Sequence, residues 1–199
     1  MPEDELETSE LKEKLEEATE RAEAREERAR WIVYLSFSTA LIAVLAAIAA
    51  LESGTYSNEA LLLKNEALLA QTKASDQWAY YQAKSVKGTI YAAQAAELLM
   101  SNPELAAKAQ KEAERYSREE EEISKTANEL EKHVNEESER SSESMEHHHR
   151  FAYAVTMFQI SIALAAVGAL SRQRAVWYAG LLVAVMGLIY FVDGFRLFF

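Results

Sequence analysis

The sequence predicts an all-α protein in which three transmembrane helices carry a long antiparallel helical hairpin, coiled-coil-like in its packing. Three observations lead there. Apolar residues make up 49% of the 199 positions, but they are gathered into blocks instead of being spread as in one globular domain. With two prolines, six glycines and no alternating β-branched runs, strands are not expected. Finally, residues 52–150 show apolar positions at alternating spacings of three and four on both sides of Ser101-Asn102-Pro103.

Residues 1–30 form a charged N-terminal helix or tail, with twelve acids against six bases. Glu17–Arg21 and Glu26–Arg30 are favourable pairs one turn apart. A thin seam of Leu11, Leu15, Ala18, Ala22 and Ala29 is the side on which a partner would pack, on an otherwise solvated helix. Residues 31–51 are the first transmembrane helix, about 31 Å of it, with Trp31 and Tyr34 where an aromatic belt belongs. A signal anchor fits better than a cleaved leader, because thirty mostly polar residues precede the apolar run. Gly54 is expected to end this helix, and Ser57 with Glu59 to start the next.

The hairpin occupies 52–150 and turns near 101–103. Asn102 is a good N-cap, Pro103 suits the first helical position, and Glu104 suits the positive end of the helix dipole. With the apex at Asn102, residue i faces roughly residue 204 − i. One stripe of the first arm then meets the second arm and forms the hairpin core. That core comprises Ala70, Ala74, Trp78, Tyr81 and Gly88, with Tyr116, Ile123, Ala127, Leu130 and Val134 opposite; Ala92, Leu99 and Leu105 continue the same stripes towards the apex. A second stripe lies about 200° around the first arm: Leu62, Leu69, Ala79, Ala83, Val86, Ile90, Ala93 and Met100. A two-helix hairpin leaves it bare, so it is the expected oligomer interface. Residues 103–150 hold fourteen acids and eight bases, against five and four in 52–102. The second arm is therefore expected outside and the first inside.

Residues 151–170 and 175–195 are the second and third transmembrane helices, joined by Ser171-Arg172-Gln173-Arg174. Small-residue rows (Ala43 and Ala47; Ser161, Ala165 and Ala169; Gly180 and Ala184) mark packing faces within the apolar segments.

Three runs resemble a family of bacterial integral membrane proteins that share domain of unknown function 4337. They are Ala74-Ser75-Asp76-Gln77-Trp78-Ala79-Tyr80-Tyr81-Gln82-Ala83-Lys84; Leu41 to Leu51; and His148-His149-Arg150-Phe151-Ala152 with Phe158 to Leu164. The resemblance implies the membrane architecture and brings no activity with it.

Residues with chemistry are few. Cysteine is absent, which removes disulfides, thiol nucleophiles and thiolate metal sites. A net charge of −11 argues against nucleic acid as a partner. His147, His148 and His149 are the one metal-like cluster, with Glu143 a turn earlier. Adjacent histidines point about 100° apart, so Glu143 and His147 are only weak candidates and an interfacial polar collar is the plainer reading. Asp76 is expected to be a paired structural carboxylate near Lys73, Lys125 and Asn128. Asp193, near the end of its helix, is expected to reach water. No phosphate loop, nucleophile motif or row of intramembrane charges is present. The expectation is a non-enzymatic protein without cofactor or metal, in contact with membrane lipid, that assembles as a homo-oligomeric helical scaffold. The alternative is an oligomeric channel or conduit lined by transmembrane helix 2, with Thr156, Gln159 and Ser161 along it. Arg21, Arg25, Arg28, Arg30, Arg172 and Arg174 place the N-terminus in the cytoplasm of a bacterial inner membrane and the hairpin in the periplasm.

Overall fold

The computed structural model describes residues 3–197, and side chains for 15–23, 26–27 and 30–197. Leu11, Arg25, Arg28 and Ala29, which entered the readings above, have side chains outside that set. Three helices account for nearly everything: α1 (Glu3–Leu98), α2 (Pro103–Ser171) and α3 (Arg174–Arg196). No strand occurs among the described residues. Each helix contains a stretch long and apolar enough to cross a membrane.

Gly54 does not end a helix; α1 runs through it unbroken. A mid-helix glycine costs only about 1 kcal/mol against alanine, and the flanking residues, none of them proline, hold the helix through it. A β-carbon at Gly54 would meet nothing within 4 Å, so close packing does not require glycine there.

The chain divides into two compact units, Thr55–Glu146 and Met1–Gly54 with His147–Phe199. The first is a pair of antiparallel arms. At their apex Leu98 O accepts from Ser101 N (3.2 Å) and Asn102 N (2.8 Å), which closes α1. Asn102 then caps α2, its Oδ1 accepting from Leu105 N at 3.2 Å. The arms meet along alanines: Ala60, Ala67, Ala70, Ala74 and Ala95 on one side, Ala106, Ala109 and Ala127 on the other, all 7% exposed or less. Leu63, Tyr116 and Ile123 fill the wider gaps. Ala92, Leu99 and Leu105, expected on this seam, are exposed; Leu98 and Ala106 turn inward instead. A heptad runs 88, 91, 95, 98, and the expected stripe stepped one residue ahead of it, which is about 100° of rotation.

In the second unit α2 and α3 are antiparallel and interlock by rings and glycines. Phe151, Phe158 and Ala165 recur every seventh residue of α2, exposed by 0%, 1% and 3%. Gly194, Gly187 and Gly180 recur every seventh residue of α3 and face them in that order. A β-carbon at Gly194 would lie 2.9 Å from the Phe151 ring, and one at Gly187 2.9 Å from the Phe158 ring. At Gly180 it would lie 3.1 Å from Ser161 O. At the first two levels a ring meets an absent side chain, and at Gly180 the α2 backbone itself comes close. The α1 segment contributes Trp31, Leu35, Ile42, Ala49 and Ser53 to the interior, all at most 8% exposed. Its small-residue pair Ala43 and Ala47 faces outward, as does Ala169.

Candidate functional site

Two regions carry the residues with functional potential: the arms of the hairpin, and a polar belt within the apolar helical unit.

On the arms, the first stripe supplies the contact between helices. Ala70, Ala74, Gly88, Tyr116, Ile123 and Ala127 are buried, and Trp78, Tyr81, Leu130 and Val134 are half-buried. Gly88 is needed by the packing: a β-carbon there would meet Tyr116 Cβ at 3.3 Å and Glu120 Oε1 at 3.1 Å. Trp78 sits edge-on to Tyr81 (5.6 Å) and donates its Nε1–H to Glu131 at 2.8 Å. Ser141 closes the far end by donating to Ala60 O at 2.8 Å.

Beside Gly88 lies a cluster that the sequence did not announce. Lys84 Nζ bonds Glu119 Oε2 at 2.6 Å and lies over the rings of Tyr80 (5.1 Å) and Tyr116 (5.3 Å). Tyr91 stacks on Tyr116 at 5.7 Å, and the Arg115 guanidinium lies 4.7 Å from the Tyr116 ring centre. The hydrogen bond to Glu119, followed by that to Tyr80, holds the Lys84 ammonium above its ordinary value. The same bond from Lys84 holds the Glu119 carboxyl below its own. Tyr80, Lys84 and Tyr91 share α1 faces with no apolar signal of their own, and only the pairing of arms reveals them.

The second stripe has no contact of this kind. Leu62, Leu69, Val86, Ile90 and Met100 are 57% to 94% exposed, and Ala79, Ala83 and Ala93 are exposed too. Asp76, expected to be a paired structural carboxylate, does not meet Lys125 or Asn128 across the hairpin. It is exposed, Lys125 bonds Glu121 at 2.8 Å, and Asn128 Nδ2 donates to Ser124 O at 2.7 Å. Those two of its three prospective partners are satisfied within their own helix turn, and the third, Lys73, is exposed. Glu137, which the sequence reading passed over, is 6% exposed and is held by Arg140 at 3.0 and 3.1 Å. It falls one heptad after Leu130, and that spacing was the available signal.

Two of the three clustered histidines tie α2 to different helices, while His149 is exposed. His147 Nδ1 lies 2.7 Å from Gly194 O on α3. His148 Nδ1 lies 2.9 Å from Ser53 O on α1 and 3.0 Å from Ser53 Oγ. A carbonyl only accepts, so both Nδ1 atoms carry a proton. One turn on, Arg150 Nε meets Asp193 Oδ2 at 3.2 Å. Asp193 is 2% exposed, so the expectation that it reaches water is wrong: it is buried with the Arg150 guanidinium as its partner. Among the described residues no group of three His, Cys, Asp or Glu converges on a metal position, and Glu143 is exposed.

Neither a curated protein nor a solved structure matches the chain. A family model described as a domain of unknown function, DUF4337, matches residues 31–197, from the first residue of the first apolar run to the residue that caps α3, and the protein belongs to that family.

Proposed function

We propose that the protein is a non-enzymatic, homo-oligomeric scaffold of the bacterial inner membrane, anchored by three spans and joined to its copies through the first arm of the hairpin. The observation that carries this reading is the exposed row Leu62, Leu69, Val86 and Ile90 on the side of α1 away from its packed face. Isolated exposed leucines need no explanation, but a row repeated along a water-facing helix is the mark of an interaction surface. A second copy is the simplest cover because it brings an identical apolar row, as closed symmetric assemblies do. The acidic second arms, facing outward, keep such an assembly from stacking further. Leu69→Glu with Ile90→Glu is the test. The doubly substituted chain is expected to elute as smaller species in mild detergent with its helicity intact; an unchanged size sinks the proposal.

One observation favours a second reading. Thr156 and Gln159 are exposed on the apolar part of α2, where a lipid-facing side is otherwise hydrocarbon. In an assembly that turns this side inward they line a conduit. Ion flux into liposomes, abolished by Gln159→Leu, distinguishes it from a scaffold, which conducts nothing.

A further inference from the structure

We propose that the turn between α2 and α3 binds the phosphate of an anionic phospholipid headgroup, with the indole of Trp31, whose ring the Arg174 guanidinium overlies, supplying a hydrogen-bond donor. The proposal rests on the membrane reading above and goes beyond it to a specific lipid site.

The turn is short and basic. Arg172 adopts the left-handed conformation (φ 58°), and Gln173 N donates to Gly168 O at 3.2 Å. This is the helix-ending position where glycine is ordinarily cheapest, yet it carries a guanidinium. Immediately after it α3 starts with no side-chain cap: Gln173 makes no capping bond, and no acid lies in the first turn. A 23-residue helix thus presents its first amides, and the positive end of its dipole, beside two arginines.

An independent feature points to a missing acceptor. Trp31 is 8% exposed, and its indole N–H is buried without a hydrogen-bond partner among the described residues. Buried donors are satisfied in the great majority of cases, so an orphan calls for an occupant. The Arg174 guanidinium lies 5.9 Å from the centre of that same ring. An anion already stands on Arg174: the carboxylate of Glu27, at 3.0 Å. Glu27 is 62% exposed along its side chain and swings away at little cost, so it acts as a placeholder for the phosphate. A phosphodiester carries two charged non-bridging oxygens, each with more than one lone pair, so one anion can accept from Arg174 and from further donors at the turn at the same time. Lipid is the source favoured here, because both helices that meet at this turn contain stretches apolar enough to span a bilayer.

The full chain is first floated with neutral phosphatidylcholine vesicles. Failure to float refutes the membrane reading itself. Retention of phosphatidylglycerol against phosphatidylcholine by the detergent-purified chain is then measured by native mass spectrometry. The native chain is expected to prefer phosphatidylglycerol, and Arg172→Gln with Arg174→Gln to abolish the preference. Trp31→Phe, which keeps the ring and removes the donor, is expected to weaken retention about tenfold, the worth of one hydrogen bond to a charged group. Glu27→Gln is expected to strengthen it. Equal retention of both lipids, or a preference untouched by the arginine substitutions, overturns the proposal while leaving a floating protein. Displacement of the lipid by an equal concentration of inorganic phosphate assigns the site to a free anion and overturns the lipid source.

Discussion

Three helical glycines are predicted to respond to the same substitution in three different ways, because their neighbours differ. Alanine in place of a mid-helix glycine gains about 1 kcal/mol of helix propensity. At Gly54 nothing opposes that gain, since a β-carbon meets nothing within 4 Å; Gly54→Ala is expected to stabilise by about 0.5–1 kcal/mol. At Gly88 the nearest atoms are the end of the Glu120 side chain at 3.1 Å and Tyr116 Cβ at 3.3 Å. The carboxylate moves aside and the tyrosine gives slightly, so Gly88→Ala is expected within about 0.5 kcal/mol of neutral, whereas Gly88→Leu overpacks by about 1–3 kcal/mol. At Gly187 the new carbon lies 2.9 Å from two carbons of the Phe158 ring and 3.1 Å from Met157 Cβ. Phe158 is 1% exposed and cannot withdraw. Overpacking of about 1–3 kcal/mol set against the propensity gain leaves Gly187→Ala up to about 2 kcal/mol destabilising. Phe158→Leu should relieve it, so the double variant falls short of the summed single losses by about 1 kcal/mol. Unfolding in mild detergent, followed by circular dichroism at 222 nm, reads all of these. If Gly187→Ala stabilises as much as Gly54→Ala, the ring-in-glycine account of the α2–α3 contact is wrong.

Three further predictions concern charge and sidedness. The Lys84–Glu119 pair is fully formed between the ordinary carboxylate and ammonium pKa values; its stabilisation is lost as pH falls through the lowered Glu119 value and as pH rises through the raised Lys84 value. Glu119→Gln should therefore flatten the acid limb of the stability profile below about pH 4 and leave the neutral plateau without a new slope. Asp193→Asn removes the buried partner of Arg150; it should cost about 1–3 kcal/mol, less than for a fully enclosed pair because Arg150 is 28% exposed, and a thermal melt in detergent that does not move contradicts the pairing. A cysteine at Ser101 is expected to react with an impermeant maleimide in intact spheroplasts, and protection there reverses the proposed orientation.

The sequence carried the helices and their pairing better than their exact faces. The proline and its cap at Asn102 mark the apex because each has a local physical meaning, and blocks of apolar residues mark the long helices for the same reason. Rotation about the helix axis is harder to read. Near the apex the alternatives Leu98 or Leu99, and Leu105 or Ala106, differ by one residue, and the larger side chain was preferred although the narrow seam takes the smaller one at Ala106. The glycines of α3 were sought at spacings of four, yet Gly180, Gly187 and Gly194 repeat at seven, and their meaning rests on Phe158 and Phe151 many residues earlier. His147 and His148 bond backbone carbonyls, which every residue possesses, so no sequence signal pointed to Gly194 or Ser53.

The distribution of polar groups bears on how far scaffold and conduit can be told apart. In the apolar unit the Arg150–Asp193 pair and the two histidines lie toward one end of the α2–α3 contact, and each is engaged between helices of the same chain. Farther along α2, Ser161 is buried against α3, where its backbone oxygen limits the approach of Gly180. Those groups are consumed in holding three helices together, so they are not free to line a path within one chain. A conduit built between copies would draw on the exposed Thr156 and Gln159. Two neutral side chains about one turn apart offer a permeating ion little compensation for lost hydration. The exposed first-arm row, by contrast, is long and apolar, and under the proposed topology it stands in water without a cover. That asymmetry is the physical reason for ranking assembly above conduction.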